Sequence, residues 1–194
     1  MKQTLFTAAL AASFIAPAVA QAQALPAAVI AVADLDRVTA ECNACKTAAA
    51  ALRSQAQGLQ NRQKALAAPL ETEQKSLQAA IDTLKGAQPD AALQARVRAF
   101  QQKEQQASQE LQRQQQQIQR NQQYIQQQVA TKLGPIYQQV MQRRGATIMV
   151  ETGTTLAASN TLDVTNEVLA ALNTAMPTLA TTAPAQTQQT PQGR

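Results

Sequence analysis

Cys42-Asn43-Ala44-Cys45 is the sharpest chemical constellation in this chain of 194 residues. Two cysteines at this spacing can form a disulfide, join further ligands around a metal, or act as a redox pair. A redox pair normally opens a helix within a βαβ unit, whereas this one follows a single short apolar run. On a regular helix, residues three apart hold their Cβ atoms ~5–6 Å apart, and a disulfide wants them near ~3.8 Å. Bridging therefore demands an irregular helix start. A structural bridge is the favoured reading, with reduced or intersubunit-paired thiols and a redox or metal role open beside it. Asp34 and Asp36 could form an acid–base pair, but a helix cap and a solvated turn residue account for them better.

Other chemistry is thin. Histidine, the commonest general base and metal ligand, is absent. GxxxxGK, GxGxxG, GxSxG and HExxH do not occur, and the six glycines stand singly. The chain reads as a non-enzyme without cofactor or metal. The second signal is cationic. The formal net charge of +5 is concentrated between residues 86 and 145. Lys75, Lys85, Arg96, Arg98, Lys103, Arg113 and Arg120 place positive charge toward the far part of the helical region. The plain explanation is a solvated helix surface. The functional one is a surface for acidic lipid headgroups, lipopolysaccharide or negatively charged unfolded chains. Nucleic acid is not expected of an exported chain with 3% aromatic residues.

Export itself is read from the start. Lys2, an apolar run from Leu5 to Ile15, and small-x-small sites at Ala18-Val19-Ala20 and Ala22-Gln23-Ala24 make residues 1–24 a cleaved secretory signal peptide. The run is too short to span a bilayer. A bacterial periplasm is the expected address.

The elements that must position these residues follow in order. Residues 27–33, AAVIAVA, read as a buried strand, with a helix start as the alternative. A helical arm spans residues 38–144 with its tip at GAQPD, residues 86–90. Leu52, Leu59, Leu66, Leu70, Leu77, Ile81 and Leu84 recur at heptad-like steps. Pro69 predicts a kink, Gly86 a C-terminal cap and Asp90 the next start. In the glutamine-rich stretch QELQRQQQQIQRNQQYIQQQ, Leu111, Ile118 and Ile125 are spaced by seven and stay in register with Phe100 and Val129 on either side. A disordered tract has no reason to keep that phase, and Gln is a fair helix former. The two runs fold back as an antiparallel hairpin whose thin seam makes a soft arm. Gly134-Pro135 predicts a bend near its base.

Beyond Gly145 the sequence predicts strands at 146–151 and 154–158. A helix follows at 163–175, with Val164, Val168, Leu169 and Leu172 inward and Asp163 or Thr165 as cap. Residues 176–194 read as a disordered tail. The fold class is α+β in β-α-α-β-β-α order, a small sheet body with one long arm. So small a sheet leaves open edges, and a neighbouring subunit is expected to cover them. Val29, Ile30, Val32, Ile148 and Val150 are the expected oligomer body.

VIAVADLDRV, the long hairpin and GATIMVETGTTLAASNTLDVTNEVLAALN together resemble the Skp (OmpH-like) family of periplasmic chaperones, across the chain to about Asn173. The resemblance implies a homotrimer with a shared barrel-like β-body and three arms around a cavity. It implies an ATP-independent holdase that keeps unfolded outer-membrane proteins from aggregating. The alternative is a structural coiled-coil tether of the envelope. The Cys42/Cys45 pair, Pro69 and the glutamine-rich helix depart from the family pattern.

Overall fold

The computed structural model describes residues 25–185; the expected signal peptide lies outside the described residues. Strand β1 (Ile30–Ala33) leads into helix α1 (Leu35–Glu41), and helices α2 (Asn43–Thr83) and α3 (Ala91–Arg144) form the hairpin. Strand β2 (Ile148–Glu151), 3-10 turns at Thr152–Thr154 and Asn160–Leu162, and helix α4 (Thr165–Ala175) complete the chain.

Each boundary has a local cause. Asp34 Oδ1 accepts the Arg37 N–H at 2.8 Å and caps α1. Cys42, with ψ 128°, breaks the helical run into α1 and α2. After Thr83 the chain reverses through Lys85 at φ 47° and Gly86 at φ 93°, so the left-handed turn starts one residue before the glycine. Asp90 Oδ1 then accepts the Leu93 N–H at 2.7 Å and starts α3. Gly145, at φ 64°, ends it. Pro69 and Pro135 lie inside α2 and α3 without dividing either helix. Each still removes one helical hydrogen bond.

The helices run antiparallel. Gln55 meets Asn121, Arg62 meets Glu110 and Glu73 meets Arg96, with numbers rising on α2 as they fall on α3. At 1.5 Å rise the 41 residues of α2 span roughly 60 Å and the 54 of α3 roughly 80 Å. That difference has a purpose in the topology. β1 and β2 pair in parallel, Ile30 opposite Ile148 through Ala33 opposite Glu151. Parallel strands need a crossover that returns to the starting end. The extra turns of α3 carry the chain past β1 so that β2 begins beside Ile30. Antiparallel geometry is thus confined to the helices.

One core holds the base. Val129, Leu133, Ile136 and Val140 recur along one face of α3 and meet Ala31, Ala33, Val38, Val164, Val168 and Leu172. Val38, Val140, Val168 and Leu172 are completely buried. Leu169 packs at the margin of this cluster. Farther out, Leu77, Leu93 and Ala107 are buried, while Leu59, Leu66, Leu70, Leu111 and Ile118 are half-buried. The arm is zipped loosely along most of its length.

Two expectations are corrected. Residues 154–158 form no strand: a 3-10 turn precedes them and Leu156 is fully exposed. The other edge of β1 is taken instead by Asp163 and Val164, the Val164 N–H donating to the Val32 carbonyl at 2.9 Å. Both edges of β1 are thus occupied, and TLAAS pairs with neither β1 nor β2. The Asp163 carboxylate also accepts the Thr165 N–H at 2.8 Å. Hydrogen bonds from the Thr165 side chain and backbone hold its pKa below the usual carboxylate value. The second correction concerns residues 176–185 of the expected tail; residues 186–194 lie outside the described residues. Met176 is buried and Leu179 packs against the core, and the chain up to Ala183 is tied to the arm. Two apolar anchors and paired backbone groups order a segment that reads as polar and small.

Because Leu172 closes the core where α3, α4 and β1 converge, Leu172→Ala is expected to cost ~2–5 kcal/mol. A urea titration followed by circular dichroism checks this.

Candidate functional site

The body presents an apolar face. Val29, Ile30 and Ile148 remain 48%, 44% and 45% exposed beside the sheet, and Leu156 and Leu162 project nearby in sequence. The outer edge of β2 has no strand partner among the described residues. A two-stranded sheet is marginal alone, and an open edge is a ready template for another chain. Of the five residues expected to form an oligomer body, Val29, Ile30 and Ile148 reach this surface. Val32 does not: it is 4% exposed, and its backbone pairs with Asp163 and Val164. Val150 is half-buried and lines a small cleft with Ala33, Leu35, Tyr137 and Met149. Burial, aided by Glu151, raises the pKa of Tyr137 beside it.

The seven cationic residues divide. Arg96 is spent inside the arm, donating to Glu73 Oε1 and Ser76 Oγ, both at 3.0 Å. Arg120 bonds Gln117, and its Nε is buried without a partner. Lys75, Lys85, Arg98, Lys103 and Arg113 are exposed and join none of the described ion pairs. The sequence reading missed Arg62, which grips both oxygens of Glu110 at 2.6 and 3.0 Å. That hydrogen bond holds the Glu110 carboxyl below its usual pKa. Neither residue is close to the other in sequence; their pairing follows from the hairpin register alone.

Cys42 and Cys45 are joined in a disulfide, with Cα atoms 5.1 Å apart. The extended ψ at Cys42 supplies the irregularity that bridging requires. Cys42 is fully buried in the core, and its Sγ accepts the Cys45 N–H at 3.2 Å. Asn173 adds a clamp, its Oδ1 accepting the Asn43 N–H at 2.9 Å. The junction of body and arm is therefore stapled. Nearby, Leu35, Ile125, Val129, Leu133 and Tyr137 line an open apolar groove of about 600 Å³ at the arm base. Asp34 serves as a cap and Asp36 is exposed in the first turn of α1, so the two carboxylates are not assembled as a pair. Among the described residues no group of three or more His, Cys, Asp or Glu could hold a metal ion, and no helix is long and apolar enough to cross a membrane.

Amides also meet between the helices of the arm. Asn121, 3% exposed, donates through Nδ2 to Gln55 Oε1 at 2.8 Å and accepts from Gln117 at 2.7 Å. Gln128 turns outward toward the C-terminal segment. Nothing in the periodicity of the glutamine-rich stretch marks these positions.

These features define a class: an α+β body with an open strand edge, bearing one long helical hairpin. The chain belongs to the OmpH family, whose model, described as outer membrane protein (OmpH-like), matches residues 29–172. Its fold is similar to the crystal structure, at 2.83 Å resolution, of an OmpH-like protein from Caulobacter crescentus CB15 provisionally assigned as an outer membrane chaperone. That likeness has a TM-score of 0.69 at 21% identity and covers 86% of this chain and 96% of that one. No curated protein matches the chain.

Closing so short a loop removes little unfolded-chain entropy. Replacing both Cys42 and Cys45 by Ser is expected to lower stability by about 2 kcal/mol or less. Urea midpoints with and without reductant check it, and reductant should shift only the wild type.

Proposed function

We propose that this protein is an ATP-independent holdase of the periplasm, exported by the segment at residues 1–24. It would bind unfolded outer-membrane proteins and keep them from aggregating in transit. The observation that carries this reading is the pairing of a firmly rooted base with a loosely zipped arm. Half-buried leucines along α2 and α3 leave an arm that can splay at small cost, which suits clients of different sizes. Family membership and the fold shared with the Caulobacter protein support the same reading. No catalytic step or cofactor is needed, since holding a chain requires only reversible contact.

A homotrimer accounts for the body. Val29, Ile30 and Ile148 would then be covered, and the edge of β2 would be paired by a neighbour. Lys75, Lys85, Arg98, Lys103 and Arg113 extend the field of the arm toward anionic partners. Charge of this kind raises encounter rates more than final affinity.

Light scattering is expected to give a trimer mass near neutral pH. The same sample should suppress aggregation of a urea-diluted β-barrel protein at near-stoichiometric ratio. A monomer that fails to suppress aggregation at tenfold excess would end this reading. Separately, changing the five exposed cations to Gln is expected to weaken binding to phosphatidylglycerol vesicles by roughly tenfold or more, a loss that two of them at ~1 kcal/mol each already supply. Vesicle flotation reads the change, and equal flotation of both forms would assign these charges to solubility alone.

A further inference from the structure

The C-terminal segment lies on the arm outside any helix or strand, with a bend at Thr182, and beyond Leu179 its hydrogen bonds to the arm are made through its backbone. The Ala180 carbonyl accepts from Gln128 Nε2 at 2.9 Å while the Ala180 N–H donates to Gln128 Oε1 at 3.2 Å. One side-chain amide thus satisfies both polar groups of one residue. Three residues on, the Ala183 N–H donates to Asn121 Oδ1 at 2.8 Å. Between them the Thr181 carbonyl accepts from Gln55 Nε2 at 3.3 Å.

Asn121 and Gln128 are one heptad apart, ~10.5 Å along a helix, and the tail residues they meet, Ala183 and Ala180, are three apart. Gln114 continues the row by one more heptad toward the tip, its Nε2 resting on Glu110 Oε1 at 3.2 Å. A carboxamide carries one donor group and one acceptor, as a peptide unit does. Such a row reads main chain without reading sequence. The cis occupant agrees, since residues 180–183 are Ala-Thr-Thr-Ala and their small side chains are not what the amides hold.

We infer that Gln128, Asn121 and Gln55 form a track for polypeptide backbone. The chain's own residues 180–183 fill it in this structure, and a segment of an unfolded protein takes their place. The inference rests on the holdase reading and gives it a site. The tail acts as a placeholder that keeps the amides satisfied until a client arrives. The client must displace it, so apparent affinity is reduced by the fraction of sites left free.

Two variants of the full chain separate a track from a simple strap. Ala180→Pro with Ala183→Pro removes the N–H donors of the tail and leaves the arm amides intact. Gln128→Leu releases the tail but also removes the central amide. The probe is a fluorescently labelled, urea-unfolded, eight-stranded outer-membrane β-barrel protein diluted into buffer. The double-proline variant is expected to bind it roughly three- to tenfold more tightly than wild type. Gln128→Leu is expected to bind no more tightly than wild type. In wild type, hydrogen exchange across residues 178–185 should quicken when the probe is added. Equal affinities for the two variants, or unchanged tail exchange at saturating probe, would overturn the track while the holdase reading stands. If neither wild type nor either variant retains the probe, the holdase reading and the track both fall.

Discussion

The base of α3 bears the mechanical demand of the whole molecule. Val129, Leu133, Ile136 and Val140 lie on one stripe of that helix, and the same stripe closes the only core cluster resolved among the described residues. An arm of roughly 80 Å needs such a root, because its distal seam contributes little. Remove this stripe and β1, α1 and α4 lose their common partner, while the hairpin loses its anchor. The disulfide, the Asn173 clamp and the tail all lie at or near that root, where they fix the direction in which the arm leaves.

Firm root and soft arm follow from one allocation of apolar residues. Near the body, buried side chains recur every three or four residues along α3. Farther out they thin to about one per heptad, and most are only half covered. A fully buried aliphatic side chain stabilises by ~1.5–3 kcal/mol, against ~1–2 kcal/mol for each backbone residue held in place. The distal arm therefore stays helical through its backbone ladder and a few ion pairs such as Arg62–Glu110, with little reserve. The same dilution leaves positions free for amides and cations. Glutamine in this arm serves twice, as a helix former and as a group that can meet another chain's backbone.

Much of this was legible in the residues. Heptad phase placed both helices, Gly86 and Asp90 marked the reversal, and the poor fit of CxxC to a regular helix pointed to an irregular start at Cys42. The resemblance carried by the terminal motifs pointed to the family. Less legible were the cross-helix pairs, since Arg62 and Glu110 are assigned to each other only by register. The expected strand at 154–158 had suitable residues, yet it pairs with neither strand of the sheet. Val32 reads as an interface residue, yet it is buried within the protomer and its backbone pairs with residues from far along the chain. The tail looked unstructured because its anchors, Met176 and Leu179, are few and its polar bonds come from glutamines that local pattern cannot single out.

Sequence alone determined the periodic elements, the hairpin turn, the charge distribution and the weakness of the seam. Each of these depends on neighbours within about two helical turns, where spacing in the chain is spacing in the molecule. Tertiary structure alone decided that the strands run parallel, which residues line the open face, and where residues 176–183 lie. Those outcomes depend on which backbone donors and acceptors remain unpaired once distant elements have met. A segment's own composition carries no record of an edge already occupied or an amide waiting fifty residues away.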